Sequence, residues 1–277
     1  MIGQLKRIVE LNDLNKLNRQ ESAGNLVAFT SGKGGAGKSV LSLNMAYSLS
    51  SKGKKVLYAD LDLNFANAHI LLNILPPKNI KDYFEGRSLI NNIITKVDNN
   101  LFLLPGNSGA IEMKGFIKTK IESLINELKK ISVNYDFIFI DTGQINDVQQ
   151  MEILLNSDLI VLITSPEPTA VMDAYVIVKM LNKHNCDINK FVIINKCSDE
   201  EESRITFNNI STASEHFLNE KLNLLGYVNF DSLVYKSITS QKLLMKENSN
   251  SIVYRQISKI SVALSEFIQV ANIPQPY

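Results

Sequence analysis

Short apolar runs recur along the chain at LVAFT (26–30), KVLYAD (55–60), LFLLP (101–105), DFIFID (136–141), DLIVLIT (158–164), KFVIIN (190–195) and LLGYV (224–228). Runs of this length, with little polar alternation, predict strands buried on both faces. The longer stretches between them place apolar residues at three- and four-residue steps, and 38–52, 116–131, 169–183, 203–222 and 251–270 read as helices. In the last of these Val253, Ile257, Ile260, Leu264, Phe267 and Val270 fall on one face, while Arg255, Lys259 and Glu266 are its charges, so it reads as packed core. Strands alternating with helices predict an α/β fold: a mostly parallel, twisted sheet with helices on both faces. No Pro/Gly/Ser linker or internal repeat interrupts the pattern, which predicts a single domain over 25–277. Residues 1–24 differ, being Asn-rich, with Leu5, Ile8, Leu11, Leu14 and Leu17 at a three-residue step. That step drifts around a 3.6-residue helix, so these residues predict a weakly helical extension outside the core.

Composition narrows the function. With 277 residues, 45% of them hydrophobic, the chain can bury a sizeable core. Lys plus Arg is 29 and Asp plus Glu is 28, and a net charge of +1 gives no global field for nucleic acid or an anionic membrane. No direct nucleic-acid binding is expected. Cys186 and Cys197 are too far apart for a Cys-x-x-Cys site, and His69, His184 and His216 are scattered, so neither metal-ligand spacing nor a disulfide framework is present. The N-terminal MIGQLKRIVELNDLNKLNRQ lacks the apolar core of a signal peptide, and no run approaches the roughly 18 apolar residues of a membrane span. The expected location is the cytoplasm.

The candidate chemistry lies in NLVAFTSGKGGAGKSVLSLNMAYSL (25–49), where an apolar run breaks into glycines and lysines and resumes as a helix. Gly32-Lys33-Gly34-Gly35-Ala36-Gly37-Lys38-Ser39 matches G-x-x-x-x-G-K-[ST], the phosphate-binding loop of a P-loop NTPase. Glycines let consecutive backbone N–H groups point into one concavity, and the following helix adds its positive end. Lys38 is the candidate for the β and γ phosphates, and the Ser39 hydroxyl for Mg²⁺. A flexible glycine turn is the bland alternative, but the strand before and the helix after favour the functional one. Asp60 and Asp62 close a strand in VLYADLDL, and Asp141 closes another in FIFIDTG. All three are placed to face a metal and phosphate edge of the sheet.

K-G-G-A-G-K-S resembles the deviant phosphate loop of the MinD/ParA ATPases, and the resemblance runs from residue 25 to about 270. It implies an Mg-ATPase, using ATP and ADP, with residues Gly32 to Val40 around the phosphates. It also implies that Lys33 acts across an ATP-bound homodimer on the partner's nucleotide, by the logic of an arginine finger. Asp60 would help hold the metal's water shell, Asp62 would position or activate the attacking water, and Asp141 would be the Walker B carboxylate, with Gly143 sensing the γ-phosphate. Asn195 in VIINKCSD matches the asparagine that binds the base, although it could instead cap a helix beginning near Ser198. GYVNFDSLVYKSI matches the loop over the base, with Asp231 kept and Asn229 in place of the usual proline.

Within that family, DLDLNFANAHILLNI, LFLLPGNSGA and SPEPTAVMDAYVIVKML resemble the flagellar-number regulators (FlhG, also called FleN or YlxH). In the last stretch Pro166 and Pro168 predict an extended turn, and Thr169 a helix cap. The resemblance implies control of flagellar number or placement. The implied partners are the GTPase FlhF, flagellar switch (C-ring) proteins or a flagellar transcription regulator, with peripheral attachment at the membrane or the cell pole. Three departures stand out: Val40 replaces the second loop hydroxyl, Gln144-Ile145 replaces Ala-Gly, and the N-terminal activating element keeps Gln4 and a substitute at Ile8 but not Gly3, Leu5 or Val9. The terminal ANIPQPY cannot form an amphipathic anchor. Two alternatives remain: a division-site selector or cargo positioner of the same class, and a nucleotide-binding scaffold that scarcely hydrolyses.

Overall fold

The computed structural model describes residues 25–63, 65–108, 117–143, 148–247 and 249–271. The expected N-terminal extension, Gln144-Ile145 and the tail after 271 lie outside the described residues. The strands are β1 (Asn25–Thr30), β2 (Val56–Leu61), β3 (Thr95–Lys96), β4 (Leu101–Leu104), β5 (Phe137–Thr142), β6 (Leu159–Thr164), β7 (Lys190–Cys197) and β8 (Asn223–Asn229). They form one eight-stranded sheet in the order β3-β4-β2-β5-β1-β6-β7-β8, parallel throughout except for β3 against β4. The helices are α1 (Lys38–Ser51), α2 (Ala68–Leu71), α3 (Ile80–Phe84), α4 (Ile117–Ile131), α5 (Val148–Leu155), α6 (Pro168–Lys183), α7 (Glu200–Leu218), α8 (Ser232–Thr239), α9 (Leu244–Glu247) and α10 (Ile252–Ala271).

Strand alternation divides the core between the two faces of the sheet. Val27, Phe29, Tyr58, Phe139, Val161 and Ile193 pack with α1, α9 and α10. Leu57, Ala59, Ile138 and Ile140 pack on the opposite face with α3 and α4, and Ala28, Ile160, Leu162 and Val192 with α6 and α7. Val253, Ile257, Ile260 and Leu264 of α10 are buried as the periodicity predicts. The central strands β1, β2, β5 and β6 are buried along almost their whole length, which leaves the polar chemistry to their carboxyl ends.

The structure corrects several expectations. β8 is an edge strand, and Leu224 is exposed, so LLGYV is not buried on both faces. The helix expected over 203–222 runs from Glu200 to Leu218: Asp199 accepts from Glu202 N at 2.8 Å and fixes its start, and left-handed Asn219 ends it. Asn195 therefore does not cap this helix. Thr169 is not a cap either, because Pro168 takes the first helical position and Glu167 stands at the N-cap without a side-chain cap bond. The short α2, α3, α8 and α9 and the two-residue β3 carry too little sequence for a periodicity to show.

Candidate functional site

Every candidate residue comes to the carboxyl end of the parallel strands, where open α/β sheets bind ligands. The glycine loop links β1 to α1, with Gly35 at φ 78° and Gly37 at φ 88°, both in the left-handed region. Gly37 is also sterically required, since a Cβ there would lie 2.3 Å from Asn195 Nδ2. Asn195, at the end of β7, donates through Nδ2 to Ala36 O at 2.8 Å, and Lys196 donates through Nζ to Gly35 O at 2.7 Å. Two residues of β7 thus hold consecutive carbonyls of the loop. Gly32 lies against Asp173 of α6, Gly34 is exposed, and Ser39 and Val40 are half-buried at the start of α1.

At the root of the loop Lys38 is buried and its ammonium is ion-paired with Asp141 Oδ1. The other oxygen, Oδ2, accepts from the Tyr58 hydroxyl at 2.9 Å. That hydroxyl also lies 2.8 Å from Ser42 Oγ and 3.4 Å from Ser39 O. Parallel pairing sets Asp60 directly beside Asp141. Asp60 Oδ2 accepts from Asn67 N and Ala68 N, both at 2.9 Å, which ties it to the start of α2. Burial, then the Asp141 charge, pushes the Asp60 carboxyl up to about 7, against the pull of these N–H groups and of Lys38. Burial, then the same two carboxylates, drives the Tyr58 phenol well above its ordinary range. Asp62 is half-buried, accepts from Phe65 N at 3.0 Å and lies over Gly143, where a Cβ would come 3.1 Å from its Oδ1.

At the rim Lys33 turns to α6. Its ammonium pairs with Glu167 and donates to Thr169 Oγ1 at 3.2 Å. The Lys33 ammonium, by hydrogen bond and then by charge, holds the Glu167 carboxyl below its usual range. Thr169, expected as a cap, instead receives the loop lysine.

Beside the loop opens a cavity of about 330 Å³ lined by Val40, Leu41, Asn195, Val228, Phe230 and Tyr235, among others. It is mostly apolar and of a size for a planar heterocycle. Asp231 lines it too, with Oδ1 accepting from Leu233 N at 2.8 Å as the cap of α8. Asn195 thus both ties the loop through its amide nitrogen and lines the cavity.

These residues fit a nucleotide. Left-handed glycines, a helix start and a buried lysine form a phosphate cradle. The Ser39 hydroxyl and the Asp60 and Asp141 carboxylates offer the oxygen donors that Mg²⁺ takes. Among the described residues no group of three His, Cys, Asp or Glu could cage a metal. Sequence reasoning missed Tyr58, Ser42, Lys196 and the Lys33–Glu167 pairing. Their side chains meet the site through strand register and across long sequence separations, which no local spacing reveals.

Sheet order, glycine loop and strand-end carboxylates together define a P-loop NTPase. The chain belongs to the AAA_31 family, described as AAA domain, which matches residues 24–194, and it is an ATPase of the MinD/ParA type. It is 30% identical over 281 residues to the flagellum site-determining protein YlxH of Helicobacter pylori, covering 100% of this chain and 95% of that protein. It is 28% identical over 217 residues, 78% of either chain, to the antiactivator FleN of Pseudomonas aeruginosa. The septum site-determining protein MinD of Pyrococcus horikoshii, solved with Mg-ADP, superposes with a TM-score of 0.75 over 90% of this chain and 100% of that one, at 22% identity, which shows a shared fold. Among the described residues no helix is long and apolar enough to cross a membrane.

Proposed function

We propose that the chain is an ATP-dependent switch, monomeric with ADP and dimeric with ATP, that sets flagellar number or placement. In this reading residues 25–277 form the switch domain and 1–24 an appendage to it. The observation that carries the reading is the direction of Lys33. A lysine inside a phosphate loop is turned to a carboxylate on the rim, half-exposed, while Lys38 alone is buried at the root. A half-exposed cation on that rim can exchange its carboxylate partner for a group on a second molecule.

In this reading Lys38 moves from Asp141 to the phosphates, and the backbone N–H groups of Gly34 to Ser39 hold their oxygens. Ser39, Asp60 and Asp141 hold Mg²⁺ and its waters, and when bound the ion neutralises charge building on the phosphate oxygens. Asp62, half-buried beside Gly143, orients and deprotonates the attacking water. Asn195 presents its amide oxygen to an exocyclic amine, an arrangement that suits adenine and disfavours the carbonyl of guanine. The likeness to YlxH, whose name is flagellar, supports the biological assignment, together with SPEPTAVMDAYVIVKML on the same rim. The expected partners are FlhF, switch-ring proteins or a flagellar transcription regulator. The expected location is the cytoplasm, with peripheral attachment at the membrane or pole.

The test is the concentration dependence of turnover. A cation supplied by a second subunit requires specific activity to rise with protein concentration, whereas one acting within its own chain gives a flat line. Lys33→Ala is expected to bind ATP as the wild type does yet neither dimerise nor turn over. Mixing it with Lys38→Ala should restore partial activity, because the nucleotide on the first subunit then receives the intact Lys33 of the second. A flat wild-type line, with Lys33→Ala as active as the wild type, rules the dimer mechanism out.

A further inference from the structure

We propose that Tyr58 is a positioning residue for Asp141: a buried phenol that keeps the carboxylate aimed once Lys38 has left it for phosphate. The inference rests on the reading of Asp141 as the metal-side carboxylate. Asp141 and Asp60 are register partners and both are buried. Two such carboxylates are tolerated only with compensating donors. In this structure Asp141 has one donor on each oxygen, the Lys38 ammonium on Oδ1 and the Tyr58 hydroxyl on Oδ2. Lys38 is the mobile one, since its side chain is flexible and phosphate competes for it. Tyr58 cannot follow: it lies in the middle of β2, fully buried among the residues under α1.

The geometry also sets the direction of its hydrogen bond. A phenol has one proton, and three acceptors lie in reach: Ser42 Oγ at 2.8 Å, Asp141 Oδ2 at 2.9 Å and Ser39 O at 3.4 Å. The charged one, Asp141, takes it. Ser42 Oγ, at 2.8 Å, then donates to the phenol oxygen, so that the chain runs from Ser42 through Tyr58 to Asp141. Ser42 belongs to the same first turns of α1 as Lys38 and Ser39. The relay therefore ties the carboxylate of β5 to the helix that carries the phosphate loop. With Oδ2 held, rotation of the carboxylate is restrained, and Oδ1 keeps the direction it has toward Lys38 when Lys38 departs. Partners of this kind, one step removed from a metal, typically govern its affinity by about 10–100-fold.

Tyr58→Phe removes the hydroxyl and keeps the ring. The full-length protein is titrated with a fluorescent ADP analogue in EDTA and in Mg²⁺, and with Mn²⁺ by EPR in the presence of ADP. The expected result is ADP affinity in EDTA within about twofold of wild type, with Mn²⁺ binding weakened about tenfold. Mn²⁺ affinity equal to wild type, or an equal loss of ADP affinity in EDTA and in Mg²⁺, overturns the proposal, the second because it marks a packing role. Asp141→Asn separates the two layers: if it keeps wild-type Mn²⁺ affinity, the metal-side reading of Asp141 fails first. If Asp141→Asn loses the metal and Tyr58→Phe does not, only the role of Tyr58 falls. Should Tyr58→Phe not accumulate as folded protein, Ser42→Ala carries the test at a smaller size, about a threefold loss of Mn²⁺ affinity, and equality with wild type then overturns the proposal.

Discussion

Lys33 and Lys38 share one loop, and each is paired with a carboxylate, yet the two pairs differ in kind. The side chains of Lys38 and Asp141 are 8% and 0% exposed, whereas those of Lys33 and Glu167 are 39% and 56% exposed. Burying two charges carries a large desolvation cost, and removing one partner leaves the other uncompensated. At the rim, water and salt screen the pair, and holding it together gains little. The root of the loop is therefore a place where charge must always be balanced, by protein or by phosphate and metal. The rim is a place where a cation is parked and released cheaply. The same residue type in the same motif thus serves at the root as a counter-charge that is always needed, whether it faces carboxylate or phosphate, and at the rim as one that the fold can spare.

The sharpest way to break that contrast is to remove each lysine in turn. Lys38→Ala should lower nucleotide affinity by at least about 100-fold, since several charge-assisted contacts are lost in a preorganised cradle. It should also destabilise the nucleotide-free protein by about 3 kcal/mol, because Asp141 and Asp60 then face each other without a cation. Fluorescent-nucleotide titration and urea unfolding measure the two effects, and Lys33→Ala should show neither. Tight nucleotide binding by Lys38→Ala, or equal destabilisation by both variants, would end the distinction between root and rim.

The charge balance at the root also predicts a pH dependence of intermediate size. The Asp60 carboxyl is raised from 3.8 to about 7 in the folded chain, so the folded state binds this proton more tightly than the unfolded state. Its contribution to stability is fully present below pH 3.8 and is lost as the pH rises through about 7. Asp60→Asn keeps an acceptor for Asn67 N and Ala68 N but has no charge to bury. In the nucleotide-free protein it should melt about 3 °C or more above wild type at pH 8, and the difference should shrink steadily toward pH 5. Melting curves across that range decide it. A difference that grows toward acid pH would mean that Asp60 is held ionised, and that the root is better compensated than its contacts imply.

How far the sequence revealed this site depends on the range of the interaction. The glycine loop and the three strand-end aspartates were legible because strand, turn and helix follow one another within a few residues. The sheet itself was legible because strands buried on both faces leave uninterrupted apolar runs. β8 was misread for the same reason: LLGYV looks like a buried run, but nothing in it tells an edge from a centre. Tyr58 was invisible as chemistry, since a tyrosine in VLYAD reads as packing, and only the register of β2 against β5 brings its hydroxyl to Asp141. Glu167 and Thr169 stood out as a motif, but their partner is more than 130 positions away. Thr169 shows how a local rule yields: a threonine near a helix start is expected to cap it, yet Pro168 fixes the start one residue earlier and frees the hydroxyl for Lys33.

The smallest predicted effect probes the rim directly. Glu167→Gln keeps the length of the side chain and one hydrogen-bond acceptor but removes the charge that holds Lys33. The pair is exposed and its energy modest, so ATP affinity and thermal stability should stay at wild-type values. The protein concentration at half-maximal specific activity should fall by no more than about fivefold, because a released Lys33 no longer has to leave an ion pair before it engages a second subunit. The shift should fade in about 0.5 M salt, which screens the pair in the wild type and so makes the two proteins alike. Concentration series of ATPase activity at low and high salt measure both. A shift in the opposite direction would mean that Glu167 itself contacts the second subunit, so that the carboxylate belongs to the assembled dimer and does more than hold its own chain's lysine in reserve.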